Sequence, residues 1–219
     1  MPRPMTLAAW LLLTTVATAA EPADAPDFHK NAFTFGLDYG YGIWQLDRSR
    51  LESQVGAPGD VFVNEAQNTQ TANVRVGFNI LGYATVEADL TGTGWNLGGS
   101  NRGGGGFLVG GAAWHPLRLF VESPTRPYDA SLFVGLGYGI TGQDTGMDGF
   151  IWELGLRGSY FFNRWFGVTA YARWVFLNWS TFYLDYNHRD LPGASAPLPQ
   201  GSGGDFFTLG LGVELRLIP

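Results

Sequence analysis

Along most of this chain, apolar and polar residues take turns. Phe33, Phe35, Leu37, Tyr39, Tyr41 and Ile43 alternate with Thr34, Gly36, Asp38, Gly40 and Gly42. A period of two puts the two sets on opposite faces of an extended strand. Ala72, Val74, Val76, Phe78 and Ile80 stand in the same relation to Asn73, Arg75, Gly77 and Asn79, and Ala84, Val86, Ala88 and Leu90 to Thr85, Glu87, Asp89 and Thr91. Clear alternation returns at 131–140, 150–162, 166–176 and 207–217. The run 106–115 is apolar on both faces (Phe107 and Val109 against Leu108, Ala112 and Trp114), so it predicts a strand without a facing. The total is eight strands, each near the ~10 residues that a tilted strand needs to cross a bilayer.

The connections sort by length. Segments 47–70, 96–105 and 178–204 are long, polar and rich in Gly and Pro, whereas Leu81-Gly82 and Asn163-Arg164 are tight. Long loops at one end and short turns at the other are the mark of a membrane barrel. Two connections sit awkwardly with the rule, 116–128 being long for a turn and 143–147 short for a loop.

Composition decides what the apolar face meets. Only 15% of residues are charged, against about 25% in an ordinary soluble domain, and Lys30 is the sole lysine. A soluble barrel would solvate its polar face with Lys and Glu. Here that face is mostly Gly, Thr, Asn and Ser, which suits a cramped polar lumen. Aromatics gather toward the strand ends, with Tyr41, Trp44, Trp95, Tyr138, Trp152, Trp174 and Phe206 near the long loops. Tyr83, Trp114, Tyr160, Phe162, Trp165 and Phe166 lie near the short turns. Two such belts belong at the two membrane–water interfaces. The expected fold is therefore an all-β, eight-stranded antiparallel up-and-down transmembrane barrel over 32–219.

Residues 1–20 read as a signal peptide: Arg3, an apolar stretch from Leu7 to Val16, then the small residues Ala17, Ala19 and Ala20. An extended leader, 21–31, follows. Export and strand-borne residence place the expected location in the outer membrane of a Gram-negative cell. The net charge of −6 argues against nucleic acid, and the absence of Cys excludes disulfides and thiolate metal sites.

Stretches such as Val74-Arg-Val-Gly-Phe-Asn-Ile-Leu-Gly-Tyr-Ala-Thr-Val-Glu-Ala-Asp-Leu90 and Gly210-Leu-Gly-Val-Glu-Leu-Arg216 resemble the small eight-stranded outer-membrane barrels, the family of the OmpA transmembrane domain and OmpX. The resemblance covers the chain from about Ala32. It implies a monomer, contact with outer-membrane lipids and lipopolysaccharide, and insertion by the barrel-assembly machinery. That family often ends on an aromatic residue read by the machinery, where this chain has Leu217-Ile218-Pro219.

The candidate site is the set of inward charges: Asp38, Arg75, Glu87, Asp89, Glu153, Arg157, Arg173, Glu214 and Arg216. A turn centred on Asn163 would set Glu153 opposite Arg173, and one centred on Leu81 would set Arg75 opposite Glu87. Opposed residues bring their β-carbons to about 5 Å, close enough for ion pairs. In a partly dry lumen pairing is a structural need first. The expected role is structural or surface interaction, carried by the loops (47–70 and 178–204 above all) and by an extracellular partner they engage. The alternatives are a narrow pore for small solutes or ions, and a lipid A-modifying enzyme built on Ser180, Asp185, His188 and Asp190. No cofactor or metal site is expected, since His29, His115 and His188 are scattered. Gly98 to Gly106 lacks the Lys of a phosphate loop.

Overall fold

A computed structural model describes residues 25–46, 67–96, 102–142, 146–183, 195–198 and 203–219. The signal segment 1–20, the start of the leader, and most of the long connections, with Asp185, His188 and Asp190, lie outside the described residues. The strands are β1 Ala32–Leu46, β2 Gln67–Ile80, β3 Ala84–Asn96, β4 Arg102–Trp114, β5 Tyr128–Gly142, β6 Gly146–Phe161, β7 Phe166–Tyr183, β8 Ser195–Pro197 and β9 Gly203–Leu217, with a four-residue helix, α1 Leu117–Phe120, after β4. Every pairing is antiparallel, and β1 closes the ring on β9 from Phe33↔Leu217 to Leu46↔Gly204. The ring has eight strands. The short β8 lies outside it, pairing with the far end of β7 at Thr181–Tyr183. Closure leaves no unpaired barrel edge, the condition for strands to stand in lipid.

Alternation translates into two faces as the sequence predicts. On β1, Phe33, Phe35, Leu37, Tyr39, Tyr41 and Ile43 point outward, each at least 43% exposed, while Thr34 and Asp38 are buried inside. The outer wall also carries Trp114, Trp152, Trp165 and Trp174, between 42% and 50% exposed. The facing of β4, undecided from sequence, is settled by Phe107, Val109 and Ala113, which are buried, and Leu108 at 61%, which faces out. Phe206, assigned to the outer belt, is a correction. It shares the inward parity of Thr208 and is fully buried.

Register also departs from expectation. Arg173 stands opposite Gly155, and Arg75 opposite Asp89, so both turns centre one residue later, on Arg164 and Gly82. Side-chain amides set these centres. Asn163 Oδ1 accepts the N–H groups of Trp165 (3.0 Å) and Phe166 (2.9 Å), an Asx turn that draws the bend forward. Asn79 Oδ1 likewise accepts Gly82 N–H at 2.9 Å, and Leu81 (φ 50) and Gly82 (φ 73) both take left-handed backbone. The 116–128 connection is long because it packs the leader: Asp27 bridges Thr125, and Phe28 N–H donates to Pro124 O at 2.8 Å.

Inward glycines make room for lumen side chains. At Gly212 an added β-carbon would collide with the Asp38 carboxylate and lie 2.7 Å from the Leu37 carbonyl oxygen, which is backbone and cannot swing aside. Gly212→Ala is therefore expected to lower stability by about 1–3 kcal/mol in urea titrations of the refolded protein.

Candidate functional site

The parity of the strands drives nine charged side chains into the lumen, and each is at most 9% exposed. Eight of them form three groups, and Arg216 stands apart below. Arg75 on β2 lies 3.3 Å from Glu214 on β9 and 3.7 Å from Asp38 on β1. Arg157 on β6 reaches straight across to β3, placing its two terminal nitrogens 2.8 and 3.2 Å from the two oxygens of Glu87. Arg173 on β7 meets Glu153 at 3.0 Å and Asp89 at 3.7 Å. Thus Arg173 and Glu153 do pair, but along a diagonal. Arg75 and Glu87 do not, because Arg75 turns to Asp38 on the neighbouring β1 and Glu214 on β9, and Glu87 to Arg157 across the barrel.

Neutral polar groups join the clusters. Asn73 donates to Asp38 (3.2 Å) and to Asp89 (3.3 Å), and accepts from Thr91 at 2.9 Å. Thr91 in turn accepts from Arg173 at 2.7 Å, and Thr169 donates to Asp38 at 3.0 Å. Charges taken out of water are tolerated when paired and hydrogen-bonded in this way. Between the clusters lie two cavities of about 10 Å³ each, one beside Tyr171 and Glu153, the other beside Thr34 and Glu214. Each has room for about one water.

Above the charges the lumen turns apolar. Phe107, Met147, Ile151, Val175, Leu177, Trp179, Phe182 and Phe206 form a continuous buried cluster, which Phe133 extends down among the charges. Leu198 joins it from beyond β8, its N–H bound to Ser180 O at 2.8 Å. Part of the final long connection thus folds back into the mouth. Ser180 itself is exposed and faces Asp148.

Below the charges is a site that sequence reasoning missed. His115 Nδ1 lies 2.5 Å from Asp129 Oδ2, whose other oxygen accepts from Arg126 at 3.1 Å. His115 Nε2 is 2.8 Å from the Thr85 hydroxyl. Arg216 donates to Asn79 Oδ1 and to Lys30 O, both at 3.1 Å. The ring of Phe28, 1% exposed, sits between the guanidiniums of Arg126 and Arg216, each 4.6 Å from its centroid. Phe161 meets the same ring edge-on at 5.7 Å. The signal was present in the sequence: His115 closes the run 106–115 on the inward parity of Phe107 and Val109, and Asp129 continues the inward parity of β5 one step before the run 131–140.

The order Thr85–His115–Asp129 is that of a hydroxyl–imidazole–carboxylate relay. Chemistry there would need a reacting atom beside the hydroxyl. Thr85 is 2% exposed, however, its oxygen already accepts from Asn79 at 3.0 Å, and the adjacent cavity is water-sized. The arrangement braces the base of the barrel. No group of three metal-ligating side chains converges among the described residues.

No known protein-family model and no curated protein matches the sequence. Solved structures do match in fold. Surface protein A of Neisseria superposes with a TM-score of 0.56 at 11% identity, covering 84% of this chain and 96% of that one. Ail, the attachment invasion locus protein of Yersinia pestis, gives 0.50 at 10% identity, covering 86% and 99%. Both are small outer-membrane barrels, and this chain has their fold.

Proposed function

We propose that this protein is a sealed outer-membrane barrel that works at the cell surface through its loop end. The observation carrying this reading is the occluded lumen. Apolar side chains fill its upper part, mutually paired charges its middle, and the Phe28 clasp its base. An outer wall of exposed Leu, Val, Phe, Tyr and Trp supports residence in lipid. The short-turn end then faces the periplasm and the long connections face outward. The neighbours in fold bear names that speak of a surface and of attachment, which agrees with a role carried by the loops.

Conductance tests the reading. The refolded protein in a planar bilayer is expected to give no current steps, and Glu153→Gln is expected to stay equally silent. Steady openings that change with that substitution would convert the lumen into a pore and overturn the sealed barrel. Deleting 47–66 or 184–194 is expected to abolish adhesion of expressing cells to host-cell surfaces while the barrel still inserts.

A further inference from the structure

The 116–128 connection carries α1 at the turn end, and α1 shows its apolar side chains to the outside. Phe120 is the most exposed large hydrophobic among the described residues at 76%, and Leu119 beside it stands at 60%. Neither belongs to a strand, so the parity of the barrel does not force them outward. An apolar pair left in that position marks a surface that meets something other than water. The β2–β3 turn nearby repeats the pattern. Leu81 is 47% exposed, and with φ at 50 it is the only non-glycine residue in left-handed backbone among those described. Asn, Asp or Gly fills such a turn position at lower cost, and in water a leucine there gains no burial in return.

Arg118 joins the two elements. Its Nε–H donates to Leu81 O at 3.3 Å, and its guanidinium covers the Tyr83 ring at 4.5 Å. Tyr83 O in turn accepts the N–H of His115, the residue after Trp114, at 2.9 Å. Leu81, Tyr83, Leu119 and Phe120 therefore gather at one corner of the turn end, next to the lower aromatic belt at Trp114. Short helical segments that lie in a membrane interface have this make-up, apolar side chains sunk about 5–10 Å and an arginine reaching back to the phosphates.

We infer that α1 is a membrane foot: Leu119 and Phe120 are buried in the periplasmic leaflet beside Leu81 and Tyr83, with Arg118 at the level of the lipid phosphates. Continuity with the lipid-facing wall at Trp114 names lipid, and not a periplasmic protein, as the occupant. The inference rests on the membrane reading above and adds a contact outside the barrel wall. The same connection seats the leader through Pro124, Thr125 and Arg126, so the foot holds that seat against the membrane.

The chain has no cysteine, so single cysteines can carry spin labels. Labels at Phe120→Cys, Glu122→Cys and Leu136→Cys are read in the full barrel refolded into phosphatidylcholine vesicles. Oxygen, which partitions into lipid, and a water-soluble nickel chelate on both sides of the membrane compete to relax them. Leu136, 59% exposed on β5, reports the wall, and the exposed Glu122 reports the water. Oxygen should outpace the chelate at Leu136, and the order should invert at Glu122. Phe120 is expected to follow Leu136, and Leu119→Cys to read as Phe120 does. Heat-modifiable gel mobility shows that each labelled variant is folded. Chelate ahead at Phe120 while Leu136 stays with oxygen would leave α1 in the periplasm and overturn the foot. A Phe120 label shielded from both reagents would mean that a second copy of the chain covers it, and would equally overturn it. A Leu136 label open to the chelate would instead remove the membrane reading, and the foot with it.

Discussion

Replacing Glu87 with alanine is expected to cost about 3–5 kcal/mol of stability, because it strands Arg157 in the lumen with its forked partner gone. The distinction that matters is between losing a pair and leaving a charge. Arg157 is almost fully enclosed, and with Glu87 absent the guanidinium would face Arg75 and Arg173 in the same narrow space. Removing both ends together, as Glu87→Leu with Arg157→Leu, should recover most of the loss, since a matched apolar pair leaves no ion to desolvate. Reversible urea unfolding in phospholipid vesicles, followed by tryptophan fluorescence, measures all three. A single variant as stable as wild type would mean that water reaches the lumen freely and that the charges are hydrated.

The second large effect belongs to Phe28. Phe28→Ala removes a fully buried ring and should cost about 3–5 kcal/mol, in line with other buried aromatic truncations. Both guanidinium faces lose their partner at once, which adds a cation–π component of about 0.5–2 kcal/mol per contact. The substitution should also uncover His115. In wild type this imidazole is 7% exposed and held between Thr85 and Asp129. Carbethoxylation read by peptide mass spectrometry is expected to modify His115 slowly in wild type and readily in Phe28→Ala. Equal labelling of the two proteins would show that the ring does not close the base.

The barrel was legible in the sequence because its signal is geometric. Alternation at Phe33–Ile43 or Phe207–Leu217 needs no knowledge of partners, and parity alone placed all nine lumen charges on the inner face. Pairing was less legible because it depends on register, and register depends on where each turn bends. The Asn163 and Asn79 amides moved both bends by one residue, so each opposed pair slid by two positions without changing face. Glu87 then found Arg157 on a strand that hairpin arithmetic never compares with its own. The clasp at the base was hidden for another reason. Phe28 lies in a segment without periodicity, and its partners Arg126 and Arg216 come from a connection and a final strand far away in sequence. Phe107 and Val109 were ambiguous because lumen and lipid both accept apolar side chains there.

The Phe28 clasp also bears on the order of assembly. One of its guanidiniums comes from the β4–β5 connection and the other from β9, the strand that pairs with β1 to shut the ring. The ring of Phe28 therefore has no complete seat until the last seam has zipped. A nascent barrel with β1 and β9 apart would keep its base open to water, and the latch would drop only when the cylinder is whole. Shielding of this one aromatic side chain is thus a timer for closure: labelled there, it would report the moment at which an inserting chain stops being a curved sheet.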